Sequence, residues 1–164
     1  MSSPDPQQPA RRHAHVVTVS DRCAAGVRED ASGPAATAAL EAAGFRVTGC
    51  VVGDGEASVA TALAEALASG ARLVVTSGGT GVGPRDRTPE GTAGLLDLRI
   101  PGIPELLRSA SGAPHAWLSR GLAGVSGAAL VVNLPGSPRA VTEGLGVLLP
   151  LVPHLLDQID GGDH

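Results

Sequence analysis

The stretch Arg72-Leu73-Val74-Val75-Thr76-Ser77-Gly78-Gly79-Thr80-Gly81-Val82-Gly83-Pro84-Arg85-Asp86-Arg87-Thr88-Pro89-Glu90 changes character twice. Arg72–Thr76 is short, β-branched and apolar nearly throughout, as a strand buried on both faces of a parallel sheet must be. A glycine-rich loop follows, and Thr88-Pro89-Glu90 opens a helix. Strand, glycine loop and helix start in direct succession are the elements of an α/β fold with its ligand site at the strand ends.

The same strand pattern recurs on either side of this stretch, at His15–Ser20, Arg46–Val52 and Ala128–Asn133. Between these runs lie helical periods. Val59, Ala62, Leu63, Ala66 and Leu67 share one face of a helix over Glu56–Ser69. Ser32 is placed to cap a helix over Ala35–Ala43 that Gly44 closes. Ser137 and Pro138 read as N-cap and first position of a helix with the stripe Val141, Leu145, Leu148. Pro150 breaks that helix, leaving Leu151–Ile159 as a last segment. The expected architecture is an α/β sandwich around a mostly parallel central sheet. One domain spans 14–160, behind a disordered tail at 1–13 rich in Pro, Gln and Ser.

Composition removes several function classes. The chain has 164 residues, 43% hydrophobic and 17% charged, which suits a single globular domain. All twelve basic residues are Arg, so Schiff-base chemistry and the lysine of a Walker A loop are excluded. A net charge of -4, with one Phe, one Trp and no Tyr, leaves neither a basic footprint nor aromatic platforms for nucleic acid. Uncharged runs are interrupted or too short for a membrane span, and no signal-type segment opens the chain. Cys23 and Cys50 are too few for a thiolate zinc cluster and are expected to stay reduced in a cytoplasmic setting.

Chemistry is therefore sought at the strand ends. Gly78, Gly79, Gly81 and Gly83 allow backbone N–H groups to approach an anion without a Cβ in the way, and Ser77 and Thr80 add hydroxyls. Asp54 and Asp86 follow strands that end on one rim. Carboxylates facing a phosphate cradle suit a hard divalent cation between them. Each also has an ordinary alternative, since Asp54 sits in a glycine turn and Asp86 lies between two arginines. Asn133-Leu134-Pro135-Gly136-Ser137 repeats the strand-turn-helix pattern. The residues leave the roles of Arg108, Arg120, Arg139 and Trp117 open.

Seven blocks occur in order: Thr18–Arg22 (TVSDR), Asp30–Pro34 (DASGP), Thr76–Gly81 (TSGGTG), Arg85–Glu90 (RDRTPE), Pro101–Glu105 (PGIPE), Leu118–Arg120 (LSR) and Asn133–Pro138 (NLPGSP). Together they resemble the MoaB/Mog family of molybdenum-cofactor biosynthesis proteins, over about residues 14–158. The resemblance implies a three-layer α/β fold like that of molybdopterin-binding domains, and a homotrimer. It implies Mg2+- and ATP-dependent adenylylation of molybdopterin with release of pyrophosphate, and a metal-inserting partner that receives the product. By the same resemblance Asp86 and Asp54 are the catalytic and metal-binding acids. Gly78, Gly79, Thr80 and Gly81 form the phosphate loop, Ser20, Asp21, Gly136 and Ser137 line the pocket, and Arg85 favours an active member. Around Asp54 the chain reads Val52-Gly53-Asp54-Gly55-Glu56, where the family has Val-Pro-Asp-Glu. The competing readings are a non-catalytic molybdopterin-binding or assembly protein of the same fold, and a different nucleotide-using enzyme on a similar sheet.

Overall fold

The computed structural model describes residues 12–162. Six strands form one sheet: β1 (His13–Val19), β2 (Arg46–Val52), β3 (Leu73–Ser77), β4 (Leu98–Arg99), β5 (Ala123–Ser126) and β6 (Ala129–Leu134). Their order is β2-β1-β3-β6-β5-β4. β2, β1, β3 and β6 run parallel, and β5 and β4 continue the sheet antiparallel. The helices are α1 (Asp21–Ala24), α2 (Ser32–Ala42), α3 (Glu56–Ala68), α4 (Thr88–Ala93), α5 (Gly102–Ala110), α6 (Pro138–Leu148) and α7 (Val152–Ile159).

Alternation along buried strands divides the core into two layers. Val16, Leu73, Val75, Leu130 and Val132 face Ala36 and Leu40 of α2, Ile103 of α5, and Val141, Leu145, Val152 and Leu156 of α6 and α7. Val17, Val19, Val74 and Val131 face Val59, Ala62, Leu63 and Ala66 of α3, against which α4 packs. The result is three layers with the sheet in the middle. β3 is buried at all of its positions, which is why its sequence shows no polar alternation.

The four parallel strands lie within two residues of the expected runs. β1 opens earlier, at His13, so Arg12 and His13 belong with the fold rather than with the expected tail. Residues 1–11 of that tail lie outside the described residues. His13 is buried in β1, and its Nε2 and the Nδ1 of His15 both lie within hydrogen-bond distance of the Thr48 hydroxyl on β2.

Ser32 is the first residue of α2 and not its cap. The Asp30 carboxylate takes that role, accepting from the Gly33 N–H at 3.0 Å and from the hydroxyls of Thr18 and Ser32. Ser137 caps α6 as expected, accepting from the Ala140 N–H. The run Pro138–Ile159 is long and apolar enough to cross a membrane by length and composition. Its stripe of Val141, Leu145, Leu148, Val152 and Leu156 is buried against the sheet, and a 3-10 turn at Leu149–Leu151, carrying Pro150, separates its two helices. Core packing thus accounts for its composition.

Candidate active site

Parallel pairing brings the C-terminal ends of β2, β1, β3 and β6 to one rim. Ser20 and Asp21 follow β1, Gly53 and Asp54 follow β2, the glycine loop follows β3, and Pro135, Gly136 and Ser137 follow β6. Every candidate residue of the sequence therefore belongs to this rim.

In the glycine loop, four consecutive peptides are held in the same way. The Gly78 carbonyl accepts from the Thr88 hydroxyl at 2.8 Å, and the Gly79 carbonyl from the Thr88 N–H at 3.1 Å. The Thr80 carbonyl accepts from the Arg120 N–H at 2.8 Å, and the Gly81 carbonyl from Arg120 Nε at 2.8 Å. The N–H groups of those same peptides, on Gly79, Thr80, Gly81 and Val82, donate to no other group among the described residues. Unengaged N–H groups in succession, with Gly78 and Gly79 at φ 104 and 67, are the donor type from which backbone anion sites are built. A side chain at Gly78 would collide with the Val19 carbonyl oxygen, which fixes the residue type there.

The acidic residues form a connected set. The Asp54 N–H donates to Asp21 Oδ1 at 2.9 Å, and the Asp21 N–H returns a bond to Asp54 Oδ2 at 3.1 Å. Asp21 Oδ2 is paired with Arg85 Nε at 2.5 Å. That hydrogen bond holds the Asp21 carboxyl below the usual carboxylate range, and Asp21 in turn raises Arg85. Asp86 closes its own turn. Its Oδ2 accepts from the Gly83 N–H at 2.9 Å, and its N–H donates to the Gly83 carbonyl. Asp54 Oδ1 and Asp86 Oδ1 accept no hydrogen bond among the described residues.

The hydroxyls divide by role. Ser77 is buried and donates to the Pro135 carbonyl, joining the β3 and β6 loops. Ser20 and Ser137 accept backbone N–H groups as helix caps, which leaves their O–H protons free to donate. Gly136 lies against Gly78, where an added Cβ would stand 3.3 Å from the Gly78 Cα.

Sequence reasoning left Arg120 without a role. Besides the bonds to Thr80 and Gly81, it donates from Nη2 to the Asp86 carbonyl at 2.8 Å and pairs through Nη1 with Glu90. That pairing holds Glu90 below its usual range. Arg139 pairs with Glu143 along α6, and Arg108 donates to the Ser119 carbonyl. A cleft of about 260 Å³ opens beside the rim between α5, the turn at Pro114–Leu118 and the start of α6. Arg108, Ser111, Asn133, Pro135 and Ser137 are among its lining residues, and neither Asp54 nor Asp86 reaches it.

The family model described as "Probable molybdopterin binding domain" matches residues 15–154. The chain belongs to this molybdopterin-binding-domain family. Among its relatives is the molybdenum cofactor biosynthesis bifunctional protein of Synechococcus elongatus, 46% identical over 92% of this chain but only 48% of that protein. The chain thus spans about half the length of that relative. It matches 87% of the molybdopterin adenylyltransferase of Pyrococcus furiosus, at 39% identity over 86% of its own length. Within the family, the solved Mog protein of Mycobacterium ulcerans has a TM-score of 0.85 and 46% identity, covering 90% of this chain and 99% of that one. The MoaB structure from Thermus thermophilus aligns with a TM-score of 0.85 at 41% identity, over 92% of this chain and 97% of that one. The three-layer, mostly parallel fold is the fold of these family members.

Proposed function

We propose that this chain transfers the adenylyl group of ATP to molybdopterin and releases pyrophosphate. The observation that carries the reading is the run of four unengaged N–H groups from Gly79 to Val82, on the rim that also bears Asp54 and Asp86. Such a run suits the oxygens of an oligophosphate. Relatives named molybdopterin adenylyltransferase, matched over most of their length, support the choice of substrates.

In this reading a phosphate oxygen of molybdopterin attacks the α-phosphorus of ATP. The bond from that phosphorus to the bridging oxygen breaks, and pyrophosphate leaves. The attacking oxygen is already anionic, so no strong base is required, and the protein acts by positioning and charge stabilisation. The glycine-loop amides hold phosphate oxygens, while the cleft beside Ser137 takes the pterin.

No group of three or more His, Cys, Asp or Glu side chains converges as a metal cage among the described residues. Mg2+ does not require one, because it binds through one or two carboxylates together with substrate phosphates. Asp54 Oδ1 and Asp86 Oδ1, hard oxygens without hydrogen bonds among the described residues, fit that demand. These two residues would hold the ion, which when bound would offset phosphate charge.

The proposal extends to a homotrimer, a cytoplasmic setting and transfer of product to a metal-inserting partner. Leu98, Trp117 and Leu118 are each about 60% exposed, apolar surface suited to a subunit contact (65%, 59% and 62%). The two cysteines are unpaired, in keeping with a reducing compartment.

The test is incubation with ATP, Mg2+ and molybdopterin, followed by measurement of pyrophosphate. Release that requires all three supports the reading. Molybdopterin binding without release would assign the chain to a non-catalytic carrier or assembly role.

A further inference from the structure

Arg120 reaches the glycine loop from a segment 30 or more positions away in sequence, and it touches that loop at three points and α4 at a fourth. Its N–H holds the Thr80 carbonyl, its Nε the Gly81 carbonyl, its Nη2 the Asp86 carbonyl, and its Nη1 the Glu90 carboxylate. The peptides concerned are trans, so each C=O points opposite to the N–H of the same peptide. Fastening the Thr80 and Gly81 carbonyls to Arg120 therefore turns the Gly81 and Val82 N–H groups away from it. Fastening the Asp86 carbonyl fixes the peptide that follows the catalytic candidate.

We propose that Arg120 is a positioning residue that presets the phosphate-binding amides of the loop and the backbone at Asp86, without itself touching substrate. The inference rests on the adenylylation reading, in which this loop holds the phosphates of ATP. Three of its guanidinium N–H groups already have acceptors within the loop and α4. Their fork geometry is one that an ammonium group cannot reproduce. Preset donors need no reorganisation when phosphate arrives, which is the condition for strong electrostatic stabilisation. A loop bearing Gly78, Gly79, Gly81 and Gly83 has little stiffness of its own, so its shape depends on the bonds that Asp86, Thr88 and Arg120 make with it.

The test compares the wild-type protein with Arg120→Lys and Arg120→Ala. Calorimetry measures inorganic pyrophosphate, ATP with Mg2+ and molybdopterin separately, and turnover gives KM for ATP and kcat. The expected result for Arg120→Lys is pyrophosphate affinity reduced tenfold or more, KM for ATP raised to match, and molybdopterin affinity within twofold of wild type. Millimolar guanidinium ion should restore pyrophosphate binding to Arg120→Ala and leave Arg120→Lys unchanged. Wild-type pyrophosphate affinity in Arg120→Lys overturns the proposal, as does an equal loss of molybdopterin binding, which would mark a general structural role. If Arg120→Ala does not fold, Arg120→Lys alone decides. Failure of the wild-type protein to bind either pyrophosphate or ATP would remove the phosphate reading itself. Normal wild-type binding with no effect in the variants would remove only the role of Arg120.

Discussion

Asp21 and Asp54 hold each other in place by exchange. Each carboxylate accepts the backbone N–H of the other residue, at 2.9 and 3.1 Å. Asp21 has both oxygens occupied, one by Asp54 and one by Arg85, whereas Asp54 keeps one oxygen without a hydrogen bond among the described residues. Asp21 is thus the support, and Asp54 the group presented. Asp21→Ala should lower turnover by about tenfold or more and raise the Mg2+ concentration needed, as loss of an outer-shell partner does. Asp21→Asn retains an acceptor for the Asp54 N–H and should lose less. A magnesium titration of the pyrophosphate-release rate checks both, and equal losses would refute the ranking.

Asp86→Asn should preserve the turn, because an amide oxygen can still accept from the Gly83 N–H. The charge is lost, and turnover should fall by about a hundredfold or more. Molybdopterin affinity should stay near wild type. Unchanged turnover in a folded variant would remove Asp86 from the mechanism.

Asn133 is buried at 4% exposure and is bonded in three directions. Its Nδ2 donates to the hydroxyls of Thr76 and Thr92, and its Oδ1 accepts from the Leu122 N–H. Asn133→Ala strands these partners away from water and should destabilise the fold by about 2–4 kcal/mol. Denaturant unfolding measures the change. A loss below about 1 kcal/mol would mean that water replaces the amide.

His13 and His15 share the Thr48 hydroxyl at 2.6 and 2.7 Å. Burial lowers the pKa of both, with Arg46 adding to the effect on His13 and His13 to that on His15. Arg46, Cys50 and Glu65 line the same recess. The folded protein therefore binds these protons less readily than the unfolded chain. Their contribution to stability is complete above the usual imidazole value of about 6.5 and declines as pH falls through it. The decline ends once pH is below the folded values. Unfolding midpoints between about pH 8 and pH 5 should fall for the wild type, and the slope should flatten in His15→Gln. Parallel curves would contradict this.

The strands were legible because burial on both faces leaves nearly continuous apolar runs, as in Leu73–Ser77. The helix at Ser137-Pro138 was legible because its cap is local. β4 and β5 were not, since Leu98–Arg99 and Ala123–Ser126 are short and carry no periodic signal. Ser32 misled because the nearby Asp30 carboxylate outcompetes it for the helix start. The gathering of the candidate residues on one rim followed from strand order. The role of Arg120 did not, because its partners at Thr80, Gly81, Asp86 and Glu90 are brought to it only by the fold. The division of labour between Asp21 and Asp54 likewise depends on which oxygens are already occupied.

The order β2-β1-β3 has a geometric consequence. Adjacent strands lie about 4.8 Å apart, so the sheet works as a ruler on which Asp54 and Asp21, each two residues past the end of its strand, are mounted at neighbouring marks. Lengthening the connections beyond Asp21 and Asp54 leaves that interval untouched. A slip of β1 by one residue would shift its mark by about 3.3 Å and turn its side chains to the opposite face. Tolerance to loop insertion and intolerance to strand slippage should therefore coexist within the same short stretch of chain.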